Sequence, residues 1–268
     1  RIIDSPRERL IAILTNSLVP CNGRFPLLIT MISLGVMGVS IEDSASPWIS
    51  NLLSALLLTG FVLLGVAVTM AASWLLSHTL LKGLPSSFTL ELPPYRRPQV
   101  TKVLIRSVFD RTIFVLGRAV AVAAPAGLLI WVMGNVRIGG GLSLLSYCST
   151  FLEPIGCLMG LDGVILMAFL LGFPANEIVL PITLMAYMQT GYLVEMEDVS
   201  GLFSLLTAHG WTLKTFVCMA VFSLFHWPCS TTCLTIRKET GSWKWTAVAF
   251  LIPTLVGAML CMLIARLF

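Results

Sequence analysis

Apolar residues run along this chain in long stretches, without the strict alternation of half-buried strands. Residues 25–41 give 17 positions without a charge, and residues 44–81 give 38. Residues 113–133 give 21, interrupted by Arg118 and Pro125. Residues 163–192 give 30, with Glu177 as the only charge and Pro174 and Pro181 inside. Residues 215–236 give 22, and residues 245–265 give 21 with Pro253 in the middle. A membrane-spanning helix needs about 20 apolar residues. The pattern therefore predicts an all-α fold, a polytopic membrane helical bundle of six or so spans. The stretch at 25–41 is slightly short for a span, and the one at 44–81 is long enough to tilt or project into water.

Two of these runs are interrupted where a span should be continuous. One interruption is Gly172-Phe173-Pro174-Ala175-Asn176-Glu177, followed by Pro181; the other is His226-Trp227-Pro228-Cys229-Ser230-Thr231-Thr232-Cys233. Lipid offers nothing to an unpaired backbone group, so a helix broken at depth is tolerated only against protein or a wet cavity. Paired broken segments are the sequence mark of a transporter's midplane site. The helices are thus expected to be broken or re-entrant.

Charge orients the runs. Arg1, Arg7, Arg9 and Arg24 gather at the start, six bases lie in residues 82–111, and Arg237, Lys238 and Lys244 form a third cluster. Glu42 and Asp43 separate the first two runs with no base between them. Basic loops tend to stay cytoplasmic. An even number of crossings must then separate Arg137 from Lys214, so residues 142–192 either cross twice or dip in and return. Val100, Val103, Leu104 and Val108 share one helical face, while Lys102, Arg106 and Asp110 share another. This stretch reads either as an interfacial helix on the membrane surface or as a solvated helix leading into the next span. The chain divides into a cytoplasmic opening segment (1–24), a first helical pair (25–81), a cytoplasmic link with an interfacial helix (82–111), and the C-terminal gate and pore helices (112–268). Arg118 is expected to be paired or to snorkel. Ala119, Ala123 and Gly127 form a small-residue stripe suited to close helix packing.

Composition sharpens the class. Of 268 residues, 57% are hydrophobic and only 11% charged, with a net charge of +4. Soluble domains carry about 25% charge, so a cytosolic enzyme, a disordered chain and a secreted disulfide scaffold are all excluded. No basic stripe with interleaved aromatics points to nucleic acid. There is no G-x-x-x-x-G-K-[ST], G-x-S-x-G or H-E-x-x-H motif. Arg1-Ile2-Ile3-Asp4 does not begin a signal peptide, and the chain reads as part of a longer one.

Candidate chemistry sits at the breaks. Glu177, alone in an apolar run, is expected either to line a site or, with Asn176, to cap the half-helix that starts there. Cys229 and Cys233 are spaced i and i+4, with His226 one turn earlier, and thiolate with imidazole suits borderline or soft metals. Two thiols do not close a zinc site; they suit transient contact on a conduction path, or are simply buried thiols beside a kink. Cys21, in Val19-Pro20-Cys21-Asn22-Gly23-Arg24-Phe25-Pro26, is either a turn residue or a pore-lining one. The remaining cysteines and the 12 methionines read as core filling.

Read together, these segments resemble a known family. Asp4-Ser5-Pro6-Arg7-Glu8-Arg9-Leu10 and the Pro20–Pro26 turn resemble the segment after the first gate motif of the ferrous iron transport protein B family. Leu92-Pro93-Pro94-Tyr95-Arg96-Arg97-Pro98 resembles its cytoplasmic link, and Gly172-Phe173-Pro174-Ala175-Asn176-Glu177-Ile178-Val179 its second gate motif. Phe225-His226-Trp227-Pro228-Cys229-Ser230-Thr231-Thr232, with residues 235–245, is similar to its C-terminal signature. The resemblance implies a multi-pass protein of the bacterial inner membrane, with Fe(II) as transported substrate and no stably bound cofactor. It also implies an N-terminal GTPase domain and a first gate region upstream, leaving this chain half of the pathway. The expected partners are Fe(II), the lipid bilayer and those upstream regions, with a homo-oligomer left open. On that reading Cys229, Cys21, Glu177 and Asn176 offer the ion successive weak contacts, with His226 and Cys233 as further candidates. A transporter of an organic solute such as a nucleoside, and a non-transporting assembly subunit, remain the alternatives.

Overall fold

The computed structural model describes residues 3, 5–43, 47–79, 99–138, 141–196 and 198–268. The link motif at 92–98 and most of the basic stretch before it lie outside the described residues, as do the side chains of Glu42, Asp43 and Arg118. The order of elements is α1 (Pro6–Thr15), 3-10 turns at Asn16–Leu18 and Asn22–Arg24, α2 (Phe25–Asp43), α3 (Pro47–His78) and α4 (Val100–Arg106). A π turn, Ser107–Ile113, joins α4 to α5 (Phe114–Asn135). A two-residue ribbon follows, β1 (Arg137–Ile138) against β2 (Leu142–Ser143), antiparallel with Arg137 opposite Ser143. Then come α6 (Leu144–Leu158), α7 (Gly163–Leu171), a 3-10 turn at Asn176–Ile178, α8 (Val179–Met188), α9 (Val199–Ala208), α10 (Leu213–Phe225), α11 (Ser230–Thr240) and α12 (Trp243–Leu267). The all-α expectation holds; among the described residues the short ribbon is the one departure.

Among the described residues four stretches are long and apolar enough to cross a membrane: Pro6–Val39, Trp48–His78, Leu213–Thr240 and Trp243–Leu267. The first is longer than the 25–41 run because α1 precedes it. Two of the four are broken inside. Backbone extends at Val19 and Cys21 between α1 and α2, and at His226 and Cys229 between α10 and α11. Proline explains both places, since Pro20 and Pro228 push the preceding residue out of helical backbone. Helix α4 runs through the π turn into α5 without interruption, so residues 100–135 form the lead-in of the next apolar helix. The turn at Gly241, whose φ of +65° favours glycine, ends α11, and the Ser242 hydroxyl caps α12 by accepting from the Lys244 N–H at 3.2 Å.

The run at 163–192 folds back on itself as a helical hairpin. Helix α7 bends away from α6 by 110° at residues 159–162. Asp162 opens α7, its Oδ1 accepting from the Ile165 N–H at 2.6 Å. Its Oδ2 accepts from the hydroxyl of Tyr187, near the end of α8. Trp211, just before α10, donates to that same hydroxyl at 2.7 Å. The start of α7 and the end of α8 therefore lie together, and the chain between them goes in and comes back. Asn135 fixes the same end by donating to Gly191 O at 2.7 Å. A hairpin of this kind is compatible with the second of the two alternatives that loop charge allows for residues 142–192, in which the chain dips in and returns.

The opposite end of the bundle gathers the basic termini. Leu14, Leu76, Ile236 and Ala249 form a small core there. Arg7 donates to Ser77 O at 3.0 Å, and Arg237 stacks 3.9 Å over the Trp243 ring. The large core lies between α2, α7, α8, α10 and α12 and includes Leu28, Met31, Phe169, Ile182, Phe222 and Phe225. Replacing Tyr187 with Phe leaves both Asp162 and the Trp211 N–H without their shared partner. Tyr187→Phe is expected to cost about 1–3 kcal/mol, seen as a lowered thermal midpoint in detergent; an unchanged midpoint would contradict the latch.

Candidate functional site

Three interruptions in helical backbone meet inside the bundle: residues 19–24, 172–178 and 226–230. The Ser230 N–H, at the head of α11, donates to Phe173 O at 2.9 Å. The Asn176 side-chain nitrogen lies 4.0 Å from Cys21 Sγ. The tip of the hairpin thus touches both broken spans. Close packing at this level depends on two glycines. A Cβ on Gly65 of α3 would lie 3.1 Å from Leu18 O, and one on Gly257 of α12 would lie 3.0 Å from Phe225 O. A side chain at either position would have to shift its neighbour by a few tenths of an ångström.

Arg24 joins the two broken spans. It is 2% exposed, and its Nη1 donates to Ser17 O and Leu224 O at 2.8 Å each. Nη2 donates to His226 O at 2.8 Å and Trp227 O at 3.1 Å. Broken helices leave carbonyls without amide partners, and a guanidinium carries enough donors to answer four of them. Cys21 and Cys229 both lie within electrostatic reach of this charge. Loop charge groups Arg24 with Arg1, Arg7 and Arg9 as a base of the amino-terminal segment, whereas the structure buries its side chain between the two broken spans. Its one visible signal was position, between Pro20 and Pro26 in a turn that opens an apolar run.

The anticipated residues divide. Cys21 is exposed at the start of its 3-10 turn. Asn176 is buried, and its Oδ1 has no hydrogen-bond partner. Cys229 is half-buried, with its sulfur 3.2 Å from the hydroxyls of both Thr231 and Thr232. Ser230 is buried with an unpartnered hydroxyl. These residues sit on the segments that the contacts above bring together, and the donors they carry are thiols and neutral oxygens. Cys233 bonds locally, donating to Pro228 O at 3.6 Å. His226 is 1% exposed, with its ring centroid 5.0 Å from Phe169 and 6.2 Å from Phe222. Its Nδ1 lies 2.8 Å from Ser223 O, and a carbonyl only accepts, so Nδ1 carries the proton and Nε2 keeps its lone pair. Glu177 is exposed, and no side chain caps the turn that opens α8. The capping alternative for Asn176 and Glu177 is therefore not realised. Among the described residues no three His, Cys, Asp or Glu side chains are placed to hold a metal ion together. The arrangement offers an ion one or two donors at a time.

Comparison with known proteins bears on what these donors serve. The family model for the ferrous iron transport protein B C terminus matches residues 58–110. The Fe(2+) transporter FeoB of Staphylococcus aureus (strain MSSA476) is 26% identical over 269 residues, covering 97% of this chain and 36% of that protein. The chain is thus similar, over nearly its whole length, to ferrous iron transport proteins of the B type. Similar relatives include the Fe(2+) transporters FeoB of Leptospira interrogans (serogroup Icterohaemorrhagiae, serovar Lai, strain 56601), 26% identical over 96% of this chain and 38% of that protein, and of Methanocaldococcus jannaschii, 24% identical over 99% and 38%. The chain spans little more than a third of the length of these relatives. No solved structure matches it. The match to the family model covers the second half of α3 and the start of the α4–α5 helix, whereas the converging breaks lie outside it.

Exposure of the thiols gives a direct test of this geometry. Maleimide is expected to modify Cys21 and Cys157 first, while Cys218 and Cys261, both 0% exposed, react only after denaturation. Peptide mass spectrometry reads the order; labelling of Cys218 at the rate of Cys21 would contradict the packing.

Proposed function

We propose that this chain forms the membrane-embedded part of a ferrous iron importer, supplying half of the permeation pathway. The observation that carries the reading is the convergence of three helix breaks on Cys21, Asn176 and Cys229 within an otherwise apolar bundle. Fe(II) is a borderline cation that accepts thiolate, imidazole and amide oxygen. A conduction site must bind weakly enough to release, and donors shared among three separate segments suit that better than a closed tetrahedral set. The ion would meet Cys21 and Asn176 on one wall and Cys229 on the other, with Cys233 a turn further along α11. Glu177, being exposed, serves the approach to the site rather than its centre. His226 acts through its carbonyl bond to Arg24 and through its aromatic packing. The names of the relatives support ferrous iron as the cargo.

On the same reading, a GTPase domain and a first gate region elsewhere in the full-length protein complete the pathway and control it. The location is the bacterial inner membrane, with the basic ends of α1, α3 and α11 facing the cytoplasm. Iron crosses without redox chemistry, because nothing in the proposed path needs to change its oxidation state.

Uptake of radioactive Fe(II) by cells expressing the full-length transporter tests this. Cys229→Ser and Cys21→Ser should each reduce initial uptake by at least about tenfold, given the weaker affinity of a hydroxyl for a borderline metal. Glu177→Gln should change it much less, and Cys148→Ser not at all, at matched membrane abundance. Unchanged uptake in both Cys229→Ser and Cys21→Ser would sink the assignment. Loss of nucleoside uptake in the same variants would favour an organic cargo.

A further inference from the structure

We propose that Arg24 is a tethered cation filling a main-chain cation site formed by the two broken spans, a place that a dissociable ion takes in other carriers. In broken-helix carriers, unwound carbonyls and half-helix C-termini coordinate the coupling cation. The same elements are assembled here. Ser17 O comes from the turn that ends α1, and Leu224 O, His226 O and Trp227 O come from the C-terminal end of α10, all between 2.8 and 3.1 Å from the guanidinium nitrogens. That end of α10 also carries the partial negative charge of its helix dipole. No carboxylate among the described residues hydrogen-bonds to Arg24; carbonyl oxygens alone answer its charge. The site therefore has the composition of a hard-cation cage, all neutral oxygen, distinct from the thiol wall beside it.

Each half requires the other. A buried charge without partners is prohibitively costly, and so are orphaned carbonyls at membrane depth. A planar fork with five donors suits carbonyls arriving from two helices, whereas an ammonium is a single point charge. Because the chain fills this cage with its own side chain, the broken spans need no sodium or potassium to stay closed at this level. Arg24 is then a positioning residue: it holds the Cys21 and Cys229 segments in register without contacting cargo.

The test is chemical rescue, read as the thermal midpoint of the purified full chain in detergent, which does not depend on what the protein transports. Arg24→Ala should lower the midpoint by roughly 10 °C, since several hydrogen bonds to one charge are lost. Guanidinium at about 20 mM should recover at least half of that loss by binding the emptied cage. Tetramethylammonium, which has no N–H donor, should recover none, and the unsubstituted chain should respond to neither. An equal response to both salts, or to neither, overturns the proposal. Where Arg24→Ala does not yield folded protein, Arg24→Lys and Arg24→Gln decide it. The cation should leave the chain measurably more stable than the neutral amide, and a Gln variant as stable as the Lys variant shows that positive charge is not what the carbonyls need. Loss of iron uptake with full rescue of stability would leave this assignment intact and bear only on the pathway.

Discussion

A helix that stops inside a membrane leaves carbonyl and amide groups with nothing to bind, and the rest of this bundle is arranged around that constraint. Arg24 meets most of it. One side chain, buried to 2% exposure, donates to carbonyls on both broken spans and thereby sets their relative position. Since these bonds link residues as far as 203 positions apart, they fix tertiary structure and not merely a local turn. Proline creates the breaks; the guanidinium makes them tolerable.

The hairpin adds the third break and is held at both of its extremes. At its base, Tyr187 bridges Asp162 and Trp211, three residues from three different segments. At its tip, Phe173 O accepts from the head of α11. Between these points, α7 is almost wholly buried, with Ile165, Ala168 and Phe169 among the best-covered side chains. An arm of this kind carries a polar tip into the protein interior, where other segments cover its backbone. Gly65 and Gly257 then let α3 and α12 close over the joint, where a Cβ would meet backbone oxygen at 3.1 and 3.0 Å.

The donor chemistry fits passage better than storage. Thiols, hydroxyls and an amide oxygen converge, but from separate segments and, among the described residues, without a cluster able to enclose an ion. Unpartnered buried oxygens on Asn176 and Ser230 lie on the same joint. A rigid tetrahedral site would bind more tightly and release more slowly. Arg24 places a fixed positive charge in the same joint.

Much of this protein was legible along the chain. Apolar run lengths determined the all-α membrane class, Pro228 and Gly172–Pro174 marked two breaks, and Pro20–Cys21 marked a bend that is itself a break. Cys21, Asn176 and Cys229 were picked out by their placement in those breaks. Only the tertiary structure decided which breaks meet, that residues 163–192 fold back on themselves, that Glu177 is exposed, and that His226 is enclosed by aromatic rings. Above all it decided the role of Arg24. The reason is physical: hydropathy records how each residue partitions between water and lipid, one position at a time. Whether a base beside a turn is solvated or buried depends on carbonyls contributed by a helix some 200 residues further on, and no local pattern carries that information.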